Sequence, residues 1–463
     1  MVRILCGTIL AVAIALLHGS QAFGAEIVVD FDKALGSVKP VNGVGQPPML
    51  GGPKNFRMMH YLAEAGIPYS RLHDVGGAFG GSRYVDIPNL FPDFAADEND
   101  PKNYDFAFTD RLLLALEGAG VEPFYRLGVT IENYCSIKAY RILPPKDFAK
   151  WARIAEHVIL HYTEGWANGF KMKIDHWEIW NEPDNFPDPL DNCMWRGDWE
   201  CYMSFYGTVA PYLKKKFPHL KIGGYGSCGF YAAAGAGQVK AANSSPRLEH
   251  FVNCFTNFLA RAKAESWPLD FFSFHSYDLP DLAREQVAYA RRTLDEFGFT
   301  DSKMSFNEWL PHPALEALGT PRQAALIAAE LVDLQNGPCD TAMIYDARCG
   351  VGNYSPLFNP LTQKPHKAYY AFLAFNELRK AGTAVAAKSS DAKVRVAAAK
   401  GENGVVVMVV NASGVEKPMA LNASMEKGVA CRMTDANHTW AKVSLPASLP
   451  PWSFVVLTVP SVK

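Results

Sequence analysis

Between about residue 40 and residue 375 the chain alternates short apolar runs with longer amphipathic ones, eight times over. The short runs read as strands near Gly43–Met49, Tyr69–Val75, Pro123–Val129, Ile174–Trp180, Lys221–Gly226, Asp270–His275, Met304–Glu308 and Thr341–Tyr345. Segments such as Asp110–Ala119, Pro145–Glu164, Cys201–Phe217, Arg247–Glu265, Leu282–Phe297 and Pro321–Gln335 read as the helices between them. Such alternation predicts a parallel sheet covered by helices. Eight units predict an α/β (β/α)8 TIM barrel, with any site gathered at the C-terminal ends of the strands. An open doubly wound sheet is the alternative, but the first strand lacks the glycine-rich phosphate loop that such a nucleotide fold carries.

After a closing helix at Lys367–Ala381 the texture changes. Val394–Ala399, Val405–Val410 and Ser453–Val459 are β-rich runs separated by turn residues. They predict a small antiparallel β-sandwich packed on the barrel, to which Glu26–Phe31 adds a strand. The expected plan is a signal peptide over 1–24, an N-terminal strand within 25–39 joining the β-domain, a catalytic barrel over 40–380 and a C-terminal β-sandwich over 381–463.

The leader reading rests on Arg3, the apolar run Ile4–Leu17 and small residues at Ser20, Ala22, Gly24 and Ala25. The apolar run is shorter than the roughly 20 residues of a membrane span. A secreted or periplasmic product with no span after cleavage is therefore expected, an uncleaved anchor being the alternative. Of nine cysteines, one (Cys6) lies in the leader. The even remainder permits disulfides in an exported chain, and Cys193 with Cys201 and Cys339 with Cys349 would close the shortest loops. No Cys-x-x-Cys spacing supports zinc or redox chemistry, and neither a metal nor a cofactor is expected. Asn243, Asn353, Asn411, Asn422 and Asn437 begin glycosylation sequons. A net charge of -2 argues against nucleic acid as a partner. Oligomeric state is not legible.

The candidate chemistry sits at strand ends. Trp177–Asp184 reads Trp-Glu-Ile-Trp-Asn-Glu-Pro-Asp, and places Glu182 where an apolar strand stops beside an amide and a proline. An acid held this way suits protonation of a glycosidic oxygen. Strand alternation would put Glu178, Trp180 and Glu182 on one side, Glu182 nearest the mouth and Glu178 deeper, as a structural hydrogen-bond partner. Glu308, in Ser305-Phe306-Asn307-Glu308-Trp309, is the second carboxylate and the candidate nucleophile. Asn181 and His275 suit sugar hydroxyls, and Tyr277 suits orientation of Glu308. Arg71, His73 and Asp74 end the second strand in the same manner. Trp309 and Tyr345 complete the expected substrate contacts, and Trp195 and Trp199 offer rings for stacking or for the core.

These blocks resemble glycoside hydrolase family 39, the retaining β-xylosidase and α-L-iduronidase family of the (β/α)8 clan. The resemblance runs through Arg71-Leu72-His73-Asp74, Tyr104-Asp105-Phe106, Pro123-Phe124-Tyr125, Trp177–Asp184, Ile222-Gly223-Gly224, Phe274-His275-Ser276-Tyr277 and Pro365-His366-Lys367-Ala368-Tyr369. It implies Glu182 as acid/base, Glu308 as nucleophile, and Asn181, His73, His275 and Tyr277 as glycone contacts on an oligosaccharide or polysaccharide substrate. The chain departs from the β-xylosidase pattern in three places. Tyr225 replaces a proline, Glu308 sits in Asn-Glu-Trp-Leu-Pro, and Tyr345-Asp346 stands where a tryptophan is usual. A uronic-acid glycan, acted on as an iduronidase would, and a catalytically inactive carbohydrate-binding barrel remain as alternatives. A metal-dependent hydrolase using His73, Asp74, His275 and Asp278 lacks a ligand motif.

Overall fold

The computed structural model describes residues 25–460 except 51–53, 78–82, 132–141, 234–244, 403 and 423–427. The leader with Cys6, Cys135 and the Asn243 sequon lie outside the described residues. Strand β1 (Ala25–Ser37) opens the chain and is followed by β2 (Gly43–Gly45) and β3 (Tyr69–Arg71). A hairpin of β4 (Gly76–Gly77) and β5 (Arg83–Tyr84) rises from the loop after β3. Next come β6 (Glu122–Leu127), β7 (His176–Ile179), β8 (Lys221–Ser227), β9 (Phe271–Ser276), β10 (Lys303–Trp309) and β11 (Thr341–Ile344). With β2 and β3 these six strands close an eight-stranded parallel barrel, sealed where Met343 pairs with Gly43. The expected barrel and its eight strands are found.

The main helices are α1 (His60–Glu64), α2 (Ile87–Leu90), α3 (Ala107–Gly118), α4 (Phe148–Thr163), α5 (Trp199–Lys216), α6 (Pro246–Ala264), α7 (Pro280–Glu296), α8 (Pro321–Asn336) and α9 (Tyr369–Ala381). Local caps set several starts. The Asp147, Asp198, Ser245 and Thr320 side chains each accept a backbone N–H of the first turn. Pro246 and Pro321 fill first-turn positions where an N–H would go unused.

Alternation along the strands builds the barrel in layers. On β9, Phe272 and Phe274 pack outward among Phe255 and Phe230, while Ser273 and His275 face the axis. At the foot of the axis Phe124, Phe271 and Met343 form a small apolar cluster. Above that floor the axis is polar, with Arg71, Arg126, Glu178 and Ser273 all buried. A filled apolar floor beneath a polar upper layer leaves the C-terminal mouth as the place for chemistry.

The remaining strands are β12 (Thr383–Ser389), β13 (Val394–Gly401), β14 (Gly404–Asn411), β15 (Lys417–Leu421), β16 (Ala430–Thr434), β17 (Ala441–Val443), β18 (Ser448–Leu449) and β19 (Ser453–Pro460). With β1 they form one continuous nine-stranded sheet, antiparallel except where β1 meets β15. The expected sandwich is thus a single sheet. Ile27, Val396, Val409 and Leu457 bury together on one face. Met408, Phe454 and Ala397 of the other face join the barrel's core, where β13 and β14 meet α8 and α9.

The suggested disulfides are absent: Cys193, Cys201, Cys339 and Cys349 are all free thiols. Cys339 precedes β11 and Cys349 follows its far end, so strand geometry separates them by on the order of 13 Å, beyond disulfide reach. Among the described residues no helix is long and apolar enough to cross a membrane.

One ionic cluster pins sheet to barrel. Arg395 of β13 pairs with Asp333 of α8 at 3.0 Å and with Asp281 of α7. Burial pushes the Asp333 carboxyl upward, and Arg395 and Arg284 work to keep it ionised. Removing one partner of a buried pair strands the other charge. Arg395→Ala should lower stability by about 3 kcal/mol, read as a fall in thermal midpoint; an unchanged midpoint contradicts this role.

Candidate active site

Glu182 reaches the mouth by a backbone irregularity, not by alternation. β7 ends at Ile179, and Trp180 and Glu182 both take left-handed backbone, with φ of 74° and 44°. Trp180 therefore turns outward, 5.0 Å from the Trp195 ring and close to Trp151 and Phe205, and does not share the side of Glu178. Glu178 points into the axis and Glu182 sits above it. Non-glycine residues in this region are rare and persist where surrounding contacts over-determine them. Here the Glu182 N–H donates to the Gly226 carbonyl at 2.8 Å, and Asn192 donates to the Pro183 carbonyl at 2.9 Å.

Glu308 depends on a second irregularity. The pairing of β10 with β9 slips between Phe306 and Glu308. A bulge of this kind re-aims a side chain. Asn307 and Glu308 consequently both turn to the axis, whereas Phe306 and Trp309 both pack outward, their rings nearly parallel. Trp309 is only 1% exposed within the core cluster, so it is no substrate contact. The bulge has turned it into the wall. Trp195, fully buried beside Trp180, is likewise core.

Arg71 ties these pieces together. It is 1% exposed and donates from Nε to Glu178 at 2.7 Å, from Nη1 to Glu308 at 2.9 Å and from Nη2 to Asn181 at 2.5 Å. Glu178 also accepts from Ser273 at 2.6 Å and Asn307 at 2.7 Å, which makes it a structural acceptor. Gly226, with a φ of 66°, clears the space: a Cβ there would stand 3.2 Å from the Arg71 guanidinium and 3.3 Å from Glu178. A guanidinium offers this fork of donors in one plane.

His275 lies between the two candidate carboxylates. Its Nδ1 is 2.8 Å from Glu182 Oε1 and 3.7 Å from Glu308 Oε2. Tyr277 donates to Glu308 Oε1, and Asn185 donates to Glu182 Oε2 at 2.8 Å. Burial opposes charge on His275, but the Glu308 charge and the Glu182 hydrogen bond outweigh it and raise its pKa. Burial likewise opposes ionisation of Glu182, yet His275, Asn185 and Arg71 together hold that carboxyl below its usual range. Asp184, two residues on and fully buried, is pushed up to about 7, by burial first and also by the Glu182 charge.

The structure thus gathers Glu182, Glu308, Asn181, His275 and Tyr277 around Arg71. His73 and Tyr345 form an adjoining group. His73 Nε2 is 3.2 Å from Asp74, and the Tyr345 hydroxyl donates to the same carboxylate at 2.9 Å while accepting from Gln46 at 3.0 Å. Burial, and then the positive charges of Arg126 and Arg71, keep His73 far below its usual pKa and hence neutral. Asp278 accepts from Gln286 at 2.8 Å and lines the cavity beside Glu182 without contacting either carboxylate. The sequence reading named Arg71 at a strand end without giving it a role, took Asn185 only as the start of a segment walling the cleft, and passed over Arg247, Tyr231 and Tyr354. A cation inside an apolar strand end was the available signal for Arg71, because a buried charge needs partners. The others come from loops and from a helix start.

A cavity of about 470 Å³ opens beside Glu182, bounded by Asn185, Arg247, Phe251, Tyr277 and Tyr354 among others. This is within the usual range for small-molecule sites. Tyr354 is 37% exposed, 5.2 Å from the Tyr277 ring and 5.6 Å from Tyr345. It presents an aromatic face to that space. Glu182, His275 and Glu308 also offer ligand atoms within 4.8 Å of one another. Both Glu308 oxygens are already engaged, by Arg71 and Tyr277, and the Glu182 oxygens by His275 and Asn185, and the Arg71 cation sits against Glu308. The donor set fits a hydrogen-bonded acid pair better than a metal.

Residues 81–297 match the family described as Glycosyl hydrolases family 39. A β-xylosidase of Geobacillus stearothermophilus is 26% identical over 180 residues, which is 38% of this chain and 31% of that protein. The shared stretch is therefore under a third of that relative's length. A glucosidase from Croceicoccus marinus aligns with a TM-score of 0.73 at 18% identity, over 96% of this chain and 100% of that one. A GH39 β-xylosidase from Caulobacter crescentus aligns at 0.66 and 17% identity, over 94% and 100%. At such identities the structural likeness is one of fold.

The His275–Glu182 pair makes stability depend on pH in a defined direction. The folded His275 pKa is raised above 6.5, so its contribution is complete below that pH and is lost as pH climbs through the folded value. Glu182 is lowered below 4.5, so its contribution is complete above that pH and is lost on acidification through the folded value. The stability gap between the native chain and His275→Asn should be widest between pH 4.5 and 6.5. Thermal melts across pH measure it, and a pH-independent gap contradicts the pairing.

Proposed function

We propose that this chain, whose residues 81–297 match glycosyl hydrolases family 39, belongs to that family and hydrolyses O-glycosidic bonds by double displacement with retention. One observation carries the reading: an oxygen of Glu182 and an oxygen of Glu308 lie within 4.8 Å of each other at the barrel mouth, with His275 between them. Retaining glycosidases hold their carboxyl groups about 5–5.5 Å apart, and inverting ones about 6.5–9.5 Å, to admit a water.

In the first step a Glu308 oxygen attacks the anomeric carbon while Glu182 protonates the departing glycosidic oxygen. The product is a glycosyl ester on Glu308 and a free alcohol. In the second step Glu182, now a carboxylate, takes a proton from water as that water's oxygen attacks the anomeric carbon and releases Glu308. Arg71 and Tyr277 hold Glu308 in one orientation. Glu182 must carry a proton to start, and the Glu182–His275 pair, 2.8 Å apart, is where one proton is shared. Asn181, fixed by Arg71, and His73 are assigned sugar hydroxyls in this reading on the family resemblance.

The substrate belongs to the β-xyloside class or a closely related glycoside of an oligosaccharide or polysaccharide. The β-xylosidase relative supports that class. The Tyr345-Asp346 pair in place of tryptophan leaves room for another pyranose. The presence of both carboxylates in hydrogen-bonded register argues against a barrel that only binds. Export through the leader belongs to the same reading, and a mature product beginning just after Ala22 or Gly24 would support it.

A panel of aryl glycosides, with the first-formed anomer followed by NMR, tests the reaction. Retention is expected, and an inverted product overturns the proposal. Glu308→Gln should abolish turnover and prevent covalent trapping by a 2-fluoro glycoside, checked by intact mass; labelling of that variant elsewhere assigns the nucleophile to another group. Glu182→Ala should lose about 10²–10⁴-fold on substrates that need protonation and far less on dinitrophenyl glycosides. Equal losses on both would remove the acid role.

A further inference from the structure

Glu182 has two carboxylate oxygens and two holders from different parts of the fold. His275, on the barrel strand β9, takes Oε1 at 2.8 Å. Oε2 is held by Asn185, a loop residue that belongs to no helix or strand. An asparagine amide can face a carboxylate usefully only with its NH2 group, since its oxygen would repel. Something must therefore set which way Asn185 points.

That something is Arg247 in the first turn of α6. Its Nε donates to the Asn185 backbone carbonyl at 2.8 Å and its Nη2 to the Asn185 side-chain oxygen at 3.2 Å. A guanidinium only donates, so it captures the amide oxygen and leaves the NH2 for Glu182. The guanidinium is itself held over the Phe186 ring at 4.2 Å and near Phe251 at 5.1 Å. Arg247 and Asn185 line the cavity beside Glu182, whereas Arg71 and Asn181 do not.

We propose that Arg247 is a positioning residue for the general acid, acting through Asn185 to aim the Glu182 carboxyl at the departing oxygen. The inference rests on Glu182 being the acid. It adds a loop-borne half to a site whose other half is built on strands. Ionisable groups near Glu182 on every side are His275, Glu308, Arg71, Asp184, Arg247 and the thiols of Cys193 and Cys228. The phenols of Tyr231, Tyr277 and Tyr354 stay neutral, because burial raises each of them. Of these groups Arg247 alone reaches Glu182 through Asn185.

Arg247→Ala, Arg247→Lys, Asn185→Ala and the Arg247→Ala/Asn185→Ala pair, in the full chain, test it with phenyl and dinitrophenyl glycosides. Arg247→Ala should lower kcat about 10-fold on the phenyl glycoside and less than about 2-fold on the dinitrophenyl one. Asn185→Ala should match it, and the double variant should lose no more than either single, because both break one relay. Arg247→Lys, with one compact donor group in place of the fork, should fall between. Loss of the Asn185 donor should also move the high-pH limb of kcat upward, since that bond favours the ionised carboxylate. Equal losses on both substrates, additive losses in the double variant, or an unmoved limb would overturn the inference. If Arg247→Ala does not fold, Asn185→Ala and Arg247→Lys carry the same test. Glu182→Ala, run alongside, separates the two ideas. Leaving-group dependence there but not in the Arg247 and Asn185 variants defeats only the relay, and its absence in Glu182→Ala defeats the acid assignment beneath it.

Discussion

The molecule is organised around one buried cation. Arg71, 1% exposed at the top of β3, would be prohibitively unstable in an apolar barrel without partners. It finds them across the ring: Glu178 on β7, Asn181 just beyond that strand, and Glu308 on β10. Each contact serves two ends. It neutralises the guanidinium, and it fixes a side chain of the candidate site relative to the barrel wall. The geometry of the two carboxylates is therefore a consequence of how the core solves its own charge problem. Neutral replacement of such a cluster often leaves a fold just as stable, so the ionic solution is better understood through the site than through stability.

The site lies where regular structure breaks. Glu182 stands on a left-handed residue past the end of β7, and Glu308 on a bulge of β10. Gly226, opposite both, supplies a left-handed backbone and the absence of a side chain. Strain of this sort persists only where neighbours over-determine it, and here those neighbours are the hydrogen bonds that orient the acids. Below these irregularities the barrel is ordinary, with an apolar floor and alternating faces. His275 then links the two halves electrostatically, because a proton on it answers the charge of both glutamates.

Much of this was legible beforehand, for identifiable reasons. Eight strands were readable because each is a short apolar run bounded by turns, a pattern that burial on both faces imposes. Helix starts were readable to within a few residues, since Asp147, Asp198, Ser245 and Thr320 cap them locally. The Asn-Glu-Pro and His-Ser-Tyr blocks were readable as strand ends. Trp180 was misplaced because period-two alternation was carried through a position where the backbone does not keep it, and Trp309 because its neighbour Glu308 says nothing about which way the next ring packs. The β-rich tail was legible as an antiparallel layer, but not as one continuous sheet, because antiparallel runs look alike whether they form one sheet or two. The suggested Cys339–Cys349 bridge failed because closeness along the chain says nothing about which ends of a strand two cysteines occupy.

Local chemistry, then, was enough to name the elements, their order, the barrel they close and the two acids at its mouth, since periodicity and capping act over a few residues. It could not place Oε1 of one glutamate against the same imidazole that approaches the other. Nor could it find that Arg247 on α6 governs an amide on a loop sixty-two positions away. Those distances come from closing eight strands into a ring and from the bulge and left-handed turns that the closed ring holds in place. They are properties of the assembled barrel, in which residues far apart in the chain share one buried charge balance.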